Sequence, residues 1–460
     1  MHLFLLLFAL QSPVPRLGTI TFPTSGAPAA QASFVRGVLY LHSFEYAAAA
    51  AAFKEAQRLD STFAMAFWGE AMTYTHPVWN QQDATSGRAV LARAPRGATP
   101  REQAYLDAAT VLYGAGSKPR RDTLYAAAME QLAATYPDDA EARAFYALAL
   151  LGLNQGVRDV TTYERAAAIV APIFAANPDH PGAAHYLIHA YDDPAHAELG
   201  LPAARAYSQI APDAAHAQHM TTHIFLALGM WGEVVRQNEI AAGPHREHWT
   251  PGHYTAWLEY ALLQQGRLGD ARRHLEAMRT NLDQSVESRG YLLSMRAHYL
   301  INARQWDDPA RAWSIDRDGV SARAVAIDEF ALGYAAVQRG DRDEGRRRLA
   351  ALAAVGAGPV EPASARFATI LTRELEAALL VAEGKQEQAV ALLRQAAATE
   401  DSLPARYGPP DVIKPTHELL GEVLLELKQP AAARVEFERA LELAPQRALS
   451  LAGLARATTR

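Results

Sequence analysis

The chain has 460 residues, 44 Lys plus Arg against 50 Asp plus Glu for a net charge of −6, half of its residues hydrophobic, and no cysteine. The missing thiol excludes disulfide scaffolds, iron–sulfur clusters, cysteine-ligated zinc and thiol nucleophiles. The slightly acidic, interspersed charge supplies no general attraction to nucleic-acid backbone or anionic lipid, so nucleic acid is not an expected partner.

Leu3 to Leu10 is an apolar run of signal-peptide length, below the ~18 residues that a membrane span needs. Residues 1–11 are read as a signal peptide, and the protein as exported to a periplasmic or extracellular space. The competing reading is a cytoplasmic protein whose apolar terminus is no signal. No Lys or Arg precedes the run, and the nearest Ala-x-Ala, at Ala27 to Ala29, lies well downstream. Residues 12–30, rich in Pro, Gly, Ser and Thr, predict an extended lead-in, strand-like over Leu17 to Phe22.

From about Ala30 onward the chain is Ala-, Leu-, Glu- and Arg-rich, with apolar positions three and four apart and breaks at Pro, Gly or Asp-Asp. That pattern predicts an all-α protein. The clearest unit places Leu420, Gly421 and Leu424 on one helix, Ala433, Phe437 and Ala440 on the next, and Pro445 after them. Small residues at Gly421 and Ala433 let two helices approach, and Leu424 and Phe437 fill the gaps between neighbouring pairs. Similar units recur at Leu332, Gly333 and Ala336 with Gly345 and Leu349, and at Ala389, Leu393 and Ala396 after Gly384. Earlier units are punctuated by Pro137, Pro178 and Pro212.

The last unit resembles the tetratricopeptide repeat, and Pro178 and Pro212 are separated by its 34-residue period. The resemblance implies a right-handed superhelical array, an α-solenoid of helix hairpins. We divide it into an N-terminal array at 31–306, a less regular joint at 307–365 and C-terminal repeats at 366–460. Irregularity is expected at Asp307 to Gly319 and Val355 to Pro362, where Pro, Gly and Asp accumulate. The stretches Thr19 to Gly26, Leu41 to Tyr46, Trp68 to Trp79, His180 to Pro194 and Ala211 to Trp231 are similar to an uncharacterised group of exported bacterial tetratricopeptide-repeat proteins. That resemblance implies no reaction.

Seven of the 16 histidines fall between His180 and His223. His185 and His189 are four apart, hence on one face of a helix, and His219 and His223 repeat the pair 34 residues later. Each pair begins seven residues after its proline, Pro178 or Pro212. First helices of successive repeats line the concave groove about 8–10 Å apart, so four imidazoles are expected to converge there. Nitrogen-only ligation suits zinc, copper, iron or nickel. His216 is a fifth candidate ligand, and Asp192 and Asp193 are candidate acceptors that would orient an imidazole. The alternative is structural, with the rings bonded to carbonyls or to Tyr186, Tyr191 and Asp192.

His245, His248 and His253 are read as loop residues, and His42 and His76 as helix-terminal polar groups facing free carbonyls. Trp68 and Met72 match the groove positions that histidines hold later. With Tyr186 and Asp192 they are candidates for lining a ligand groove, against a plain core-filling role. Gly114 to Lys118 is a glycine helix stop rather than a phosphate loop. Asp138-Asp139 starts a helix, and Arg342 with Arg346 to Arg348 is a salt-bridged face. No Gly-x-Ser-x-Gly, His-Glu-x-x-His or complete P-loop occurs, so no reaction is assigned. The expected function is an exported scaffold whose groove binds a protein segment or small ligand. The alternative is a metal-binding protein or metalloenzyme built on the histidine cluster.

Overall fold

The computed structural model describes residues 15–153, 158–243, 252–358, 362–404 and 407–459. Among these residues the chain forms 22 α-helices, one 3-10 turn at Pro309–Ala312 and a two-residue antiparallel ladder, Thr75–His76 with Gln81–Gln82. No helix of the described residues is long and apolar enough to cross a membrane.

The helices alternate as antiparallel hairpins whose starts carry the expected chemistry. Asp83, Asp139, Ser285, Ser321 and Asp341 each accept from backbone N–H groups in the first turn, and Thr99 forms a reciprocal capping box with Glu102. Such caps satisfy donors that the helix itself leaves unpaired. The tight turns inside hairpins need one left-handed residue. Gly229, Gly266, Gly340 and Gly384 supply it at φ 68°, 70°, 85° and 76°, where glycine pays no Cβ penalty.

The packing logic expected of the last unit holds. A Cβ on Gly421 would lie 2.9 Å from Phe437, and one on Gly453, in the helix that follows, 2.2 Å. Phe437 is thus wedged between two helices that approach only because both present glycine.

Two hydrophobic cores follow the array. One runs from Leu17 to Ala310 and the other from Ala297 to Ala457. The helix Val286–Ala303 serves both, giving Leu292, Met295 and Tyr299 to the first and Ala297 and Ile301 to the second. The expected irregular joint at 307–319 is the stretch holding the 3-10 turn, and Arg296 is buried there, donating to the Trp313 carbonyl and paired with Asp328.

The lead-in departs from the strand-like expectation. Leu17 and Phe22 are buried, but the segment pairs with turns rather than with a strand. Thr19 N–H donates to the Asp179 carbonyl at 2.9 Å, and Arg16 N–H to Asp213 Oδ2 at 2.7 Å. Its partners are loops between hairpins, which offer isolated carbonyls and carboxylates and no ladder.

The far end of the chain returns to the middle. Arg447 is fully buried; it donates twice to Glu418, at 2.8 and 3.1 Å, and reaches the Tyr260 hydroxyl at 3.4 Å. Ala448 N–H donates to Gln264 Oε1 at 3.0 Å, and Trp231 Nε1–H to the Gln446 carbonyl at 3.0 Å.

Candidate metal centre

Pro181–Ala190, Ala215–Ala227 and His253–Gln264 are the first helices of three successive hairpins. Their 34-residue offset puts His185, His219 and His253 at equivalent places, with His189, His223 and Trp257 one turn further along. His253 is therefore a helix residue at the Gly252 start, not the loop residue expected. His245 and His248 lie outside the described residues. His185, His189, His216, His219 and His223 are buried and His253 is half-buried.

The four expected ligands do not meet at one point. They divide into two triads, His185–His189–His216 and His219–His223–His253, and within each the three candidate nitrogens lie within 4.8 Å of one another. The i,i+4 pairs survive as pairs. Each is completed from the next helix, by His216 one turn before His219 and by His253.

Hydrogen bonds fix which nitrogen of several rings is free. His185 Nδ1–H donates to the His42 carbonyl at 2.6 Å, which leaves a lone pair on Nε2. His219 Nδ1–H donates to Asn238 Oδ1 at 2.7 Å; the Asn238 amide is itself oriented by donating to the Val234 carbonyl at 3.1 Å. His223 Nδ1–H donates to Asp192 Oδ2 at 2.5 Å. With both Nδ1 atoms donating, the Nε2 atoms of His219 and His223 face each other at 3.2 Å, a separation that a shared proton or a bound ion can bridge. Two nitrogens at that separation, each about 2.0–2.1 Å from one ion, would subtend roughly 100° at it. In the first triad Nε2 of His185, His189 and His216 are all buried and have no hydrogen-bond partner among the described residues.

The surroundings keep His185, His189, His216, His219 and His253 unprotonated. Burial pushes His185 down to about 3, against a smaller opposing effect of the His42 carbonyl, and burial with the nearby His223 takes His253 to about 3. Burial also holds His189, His216 and His219 well below the usual histidine range. Aromatic rings close the site. Phe44 lies 4.3 Å from His185 and 5.3 Å from His216, and Trp257 lies 4.4 Å from His223 and 4.9 Å from His219, between ring centroids. Phe44 occupies a hairpin turn in the left-handed region, φ 53°, where four later hairpins use glycine and the last uses Lys428. A side chain there costs about 1–2 kcal/mol, and what it gains is a ring over the first triad.

A third cluster, His42–Glu141–His180, has a different character. His42 Nδ1 accepts from the Tyr186 hydroxyl at 2.8 Å, and its Nε2–H donates to Glu141 at 2.7 Å. His180 Nδ1 accepts from Ala183 N–H at 3.2 Å, which leaves its proton on Nε2, 3.2 Å from the other Glu141 oxygen. Burial alone would raise Glu141; His42 and His180 outweigh it and hold the carboxyl down to about 2. The nitrogens facing Glu141 are protonated, so this is a structural network. It corrects the helix-terminal reading of His42, whose ring meets side chains rather than free carbonyls.

The other candidates separate cleanly. Trp68 and Met72 are core, not groove: Trp68 is fully buried against Phe22, Tyr105 and Phe145, because here the lead-in segment fills the face that later repeats leave to histidine. Tyr186 is buried as the partner of His42 and lines no groove. Asp193 pairs with Arg158 and His196 rather than with the triads. His76 lies 3.3 Å from the Thr73 carbonyl and stacks on Tyr46. Asp139 caps the helix Ala140–Leu151, Lys118 pairs with Asp122, and Arg346 to Arg348 pair with Asp343, Glu344, Glu383 and Glu329.

Asp192 also lines a cavity of about 450 Å³ between the histidine helices and the C-terminal repeats, with Leu226, Trp231, Tyr260, Tyr407 and Pro445. That is within the size range of small-molecule sites. Tyr407 lies 5.4 Å from His223, so one wall of the cavity abuts the second triad.

Residues 415–447 match the family model of the tetratricopeptide repeat. A search of curated proteins gives no match. Among solved structures, human IFIT1 dimer with m7Gppp-AAAA is 14% identical, with 92% of this chain and 91% of that chain covered and a TM-score of 0.40. Yeast Tom70 is 10% identical, with 92% and 86% covered and a TM-score of 0.36. The APC/C hetero-tetramer Cut9-Hcn1 is 13% identical, with 96% and 79% covered and a TM-score of 0.38. Residues 415–447 thus form a tetratricopeptide repeat, set in an array of stacked helix hairpins.

Proposed function

We propose that this protein is a helical-repeat scaffold that carries a transition-metal centre on the first helices of three successive hairpins. Repeat arrays are suited to interaction because stacking generates an extended concave face, and here that architecture also holds six imidazoles rigidly. The observation that carries the reading is the pair His219 and His223. Both Nδ1 protons are committed to acceptors, and the two Nε2 atoms approach to 3.2 Å, aimed at one space between them. A cation bound by both rings takes the place of the proton they would otherwise share, and Asp192 and Asn238 supply the outer hydrogen bonds that orient such ligands. Thiol-free ligation is compatible with export, which the run Leu3 to Leu10 suggests.

The test is elemental analysis after purification without an affinity tag, before and after reconstitution with Zn²⁺, Cu²⁺ or Fe²⁺. At least one equivalent of metal in the parent, lost in a His219→Ala/His223→Ala/His189→Ala variant that keeps its helical circular dichroism, is the expected result. Sub-stoichiometric metal in the reconstituted parent would retire the reading.

The cavity beside Asp192 supports a second element of function, the binding of a small ligand or a side chain of a protein segment next to the second triad. Its aromatic and proline-rich walls favour an apolar group. If so, Trp231→Ala weakens capture of that ligand while leaving the metal content of the protein unchanged.

A further inference from the structure

We infer that the two triads bind two monovalent copper ions as one charge-balanced pair, an inference that rests on the metal reading above and names the ion. The triads are interlocked rather than separate. His216 of the first and His219 of the second share a helix, with ring centroids 6.4 Å apart, and His189 and His223 face each other at 6.0 Å. Spacings inside the triads are nearly as long: 4.8 Å for His185–His189, 5.1 Å for His185–His216, 4.5 Å for His219–His253 and 6.3 Å for His223–His253. Two ions held by these rings lie in one buried, aromatic-walled space and feel each other's charge directly.

Charge then selects the ion. All six candidate ligands are imidazoles, which bring no negative charge to offset a bound cation. Two carboxylates touch the ligand residues of the triads: Asp192, bonded to the His223 ring, and Glu45, which accepts from the His216 backbone N–H at 3.2 Å. Asp193, next in sequence, is already paired with Arg158. Two monocations and two carboxylates sum to zero, whereas two dications leave an excess of two positive charges inside a buried site. Repulsion between the ions scales with the product of their charges, so it is about four-fold smaller for a monovalent pair. Each triad offers three nitrogens, and the described residues supply no fourth His, Asp or Glu to either. Copper is among the metals that imidazole binds, and as a closed-shell monocation copper(I) accepts three nitrogens without a fourth ligand.

The test is an anaerobic titration of the full chain with copper(I) against a chromophoric copper(I) chelator, beside a matching Zn²⁺ titration, with X-ray absorption on the copper-loaded protein. The expected result is two copper(I) ions per chain with affinities within about ten-fold of each other and an absorption edge of three-coordinate copper(I), while the second Zn²⁺ binds at least a hundred-fold more weakly than the first. His185→Ala/His216→Ala and His219→Ala/His253→Ala should each retain one copper(I). Copper(I) that stops at one ion in the parent, or Zn²⁺ that fills both triads with equal affinity, overturns the inference and leaves the metal reading standing. If neither ion binds, the metal reading itself fails.

Discussion

Asp192→Asn gives the sharpest probe of whether the histidine array is built for a metal or only for packing. The substitution keeps the shape of the side chain and its ability to accept from His223 Nδ1–H, now 2.5 Å away, but removes the negative charge. An ion on the far side of that ring would lie about 6–7 Å from the carboxylate, where an effective dielectric near 20 gives an attraction of about 2.5 kcal/mol per unit of positive charge. Losing such an outer partner typically weakens metal binding about 10- to 100-fold, or about 1.4–2.8 kcal/mol, in agreement with the Coulomb figure. The metal-free protein should respond the other way. Asp192 is buried, and its Oδ1 has no hydrogen-bond partner among the described residues, so neutralising it should leave the urea midpoint unchanged or raised. Affinity is read by competition with a chelating dye and stability by urea unfolding of the metal-free chain. Affinity within two-fold of the parent, or a loss of apo stability as large as the loss of affinity, would refute the assignment of Asp192 to the centre.

Three further outcomes follow from the packing and the buried charges. His185, His253 and His298 are each held down to about 3 by burial, from an ordinary 6.5, so the unfolded chain takes up their protons first. The metal-free protein should be most stable above pH 6.5 and lose up to about 1.4 kcal/mol per pH unit per group as pH falls toward 3; a urea midpoint that stays flat from pH 7 to 5 contradicts this. Arg447→Ala leaves the buried Glu418 carboxylate with only Lys414 and Ser450 and should cost about 3 kcal/mol in urea unfolding, whereas Arg447→Met with Glu418→Leu, which leaves Lys414 paired with Glu422, should recover most of it; a cost below about 1 kcal/mol for the single variant would show that the pair is not buried as described. Gly453→Ala drives a methyl to 2.2 Å from Phe437 and should cost about 1–3 kcal/mol, with Phe437→Leu in the same chain restoring part of it; a neutral single variant would mean that the hairpin contact is looser than its glycines imply.

The helical array was legible because its signals are local. Apolar spacing, capping residues and turn glycines act over a few positions, and the 34-residue step carries them from one hairpin to the next. The histidine pairs were visible by the same step, but their partition was not. Whether His185 and His189 close on His219 or on His216 depends on how far one helix slides along its neighbour, a distance that no spacing encodes. His253 was within reach: the increment linking His185 to His219 lands on it when applied once more, yet the nearby Pro251 and Gly252 favoured a loop. Trp68 and Met72 occupy equivalent repeat positions and both are core; Phe22 of the lead-in packs on Trp68, a contact between parts of the chain that share no periodicity. The carbonyl of His42 that orients His185 comes from 143 residues away, and no pattern of residue types announces a backbone acceptor. Asp192 was legible as an acceptor because it follows its helix by two residues.

The return of Arg447 and Gln446 to Tyr260 and Trp231 has a consequence for biogenesis. The six histidines leave the ribosome well before Tyr407 and Pro445, so for that interval the second triad lacks the wall that later shields it. An ion delivered co-translationally would meet an open, solvent-washed nest of imidazoles, whereas one delivered after release must pass a finished enclosure. Timing of supply, as much as binding strength, would then decide which element the mature molecule carries.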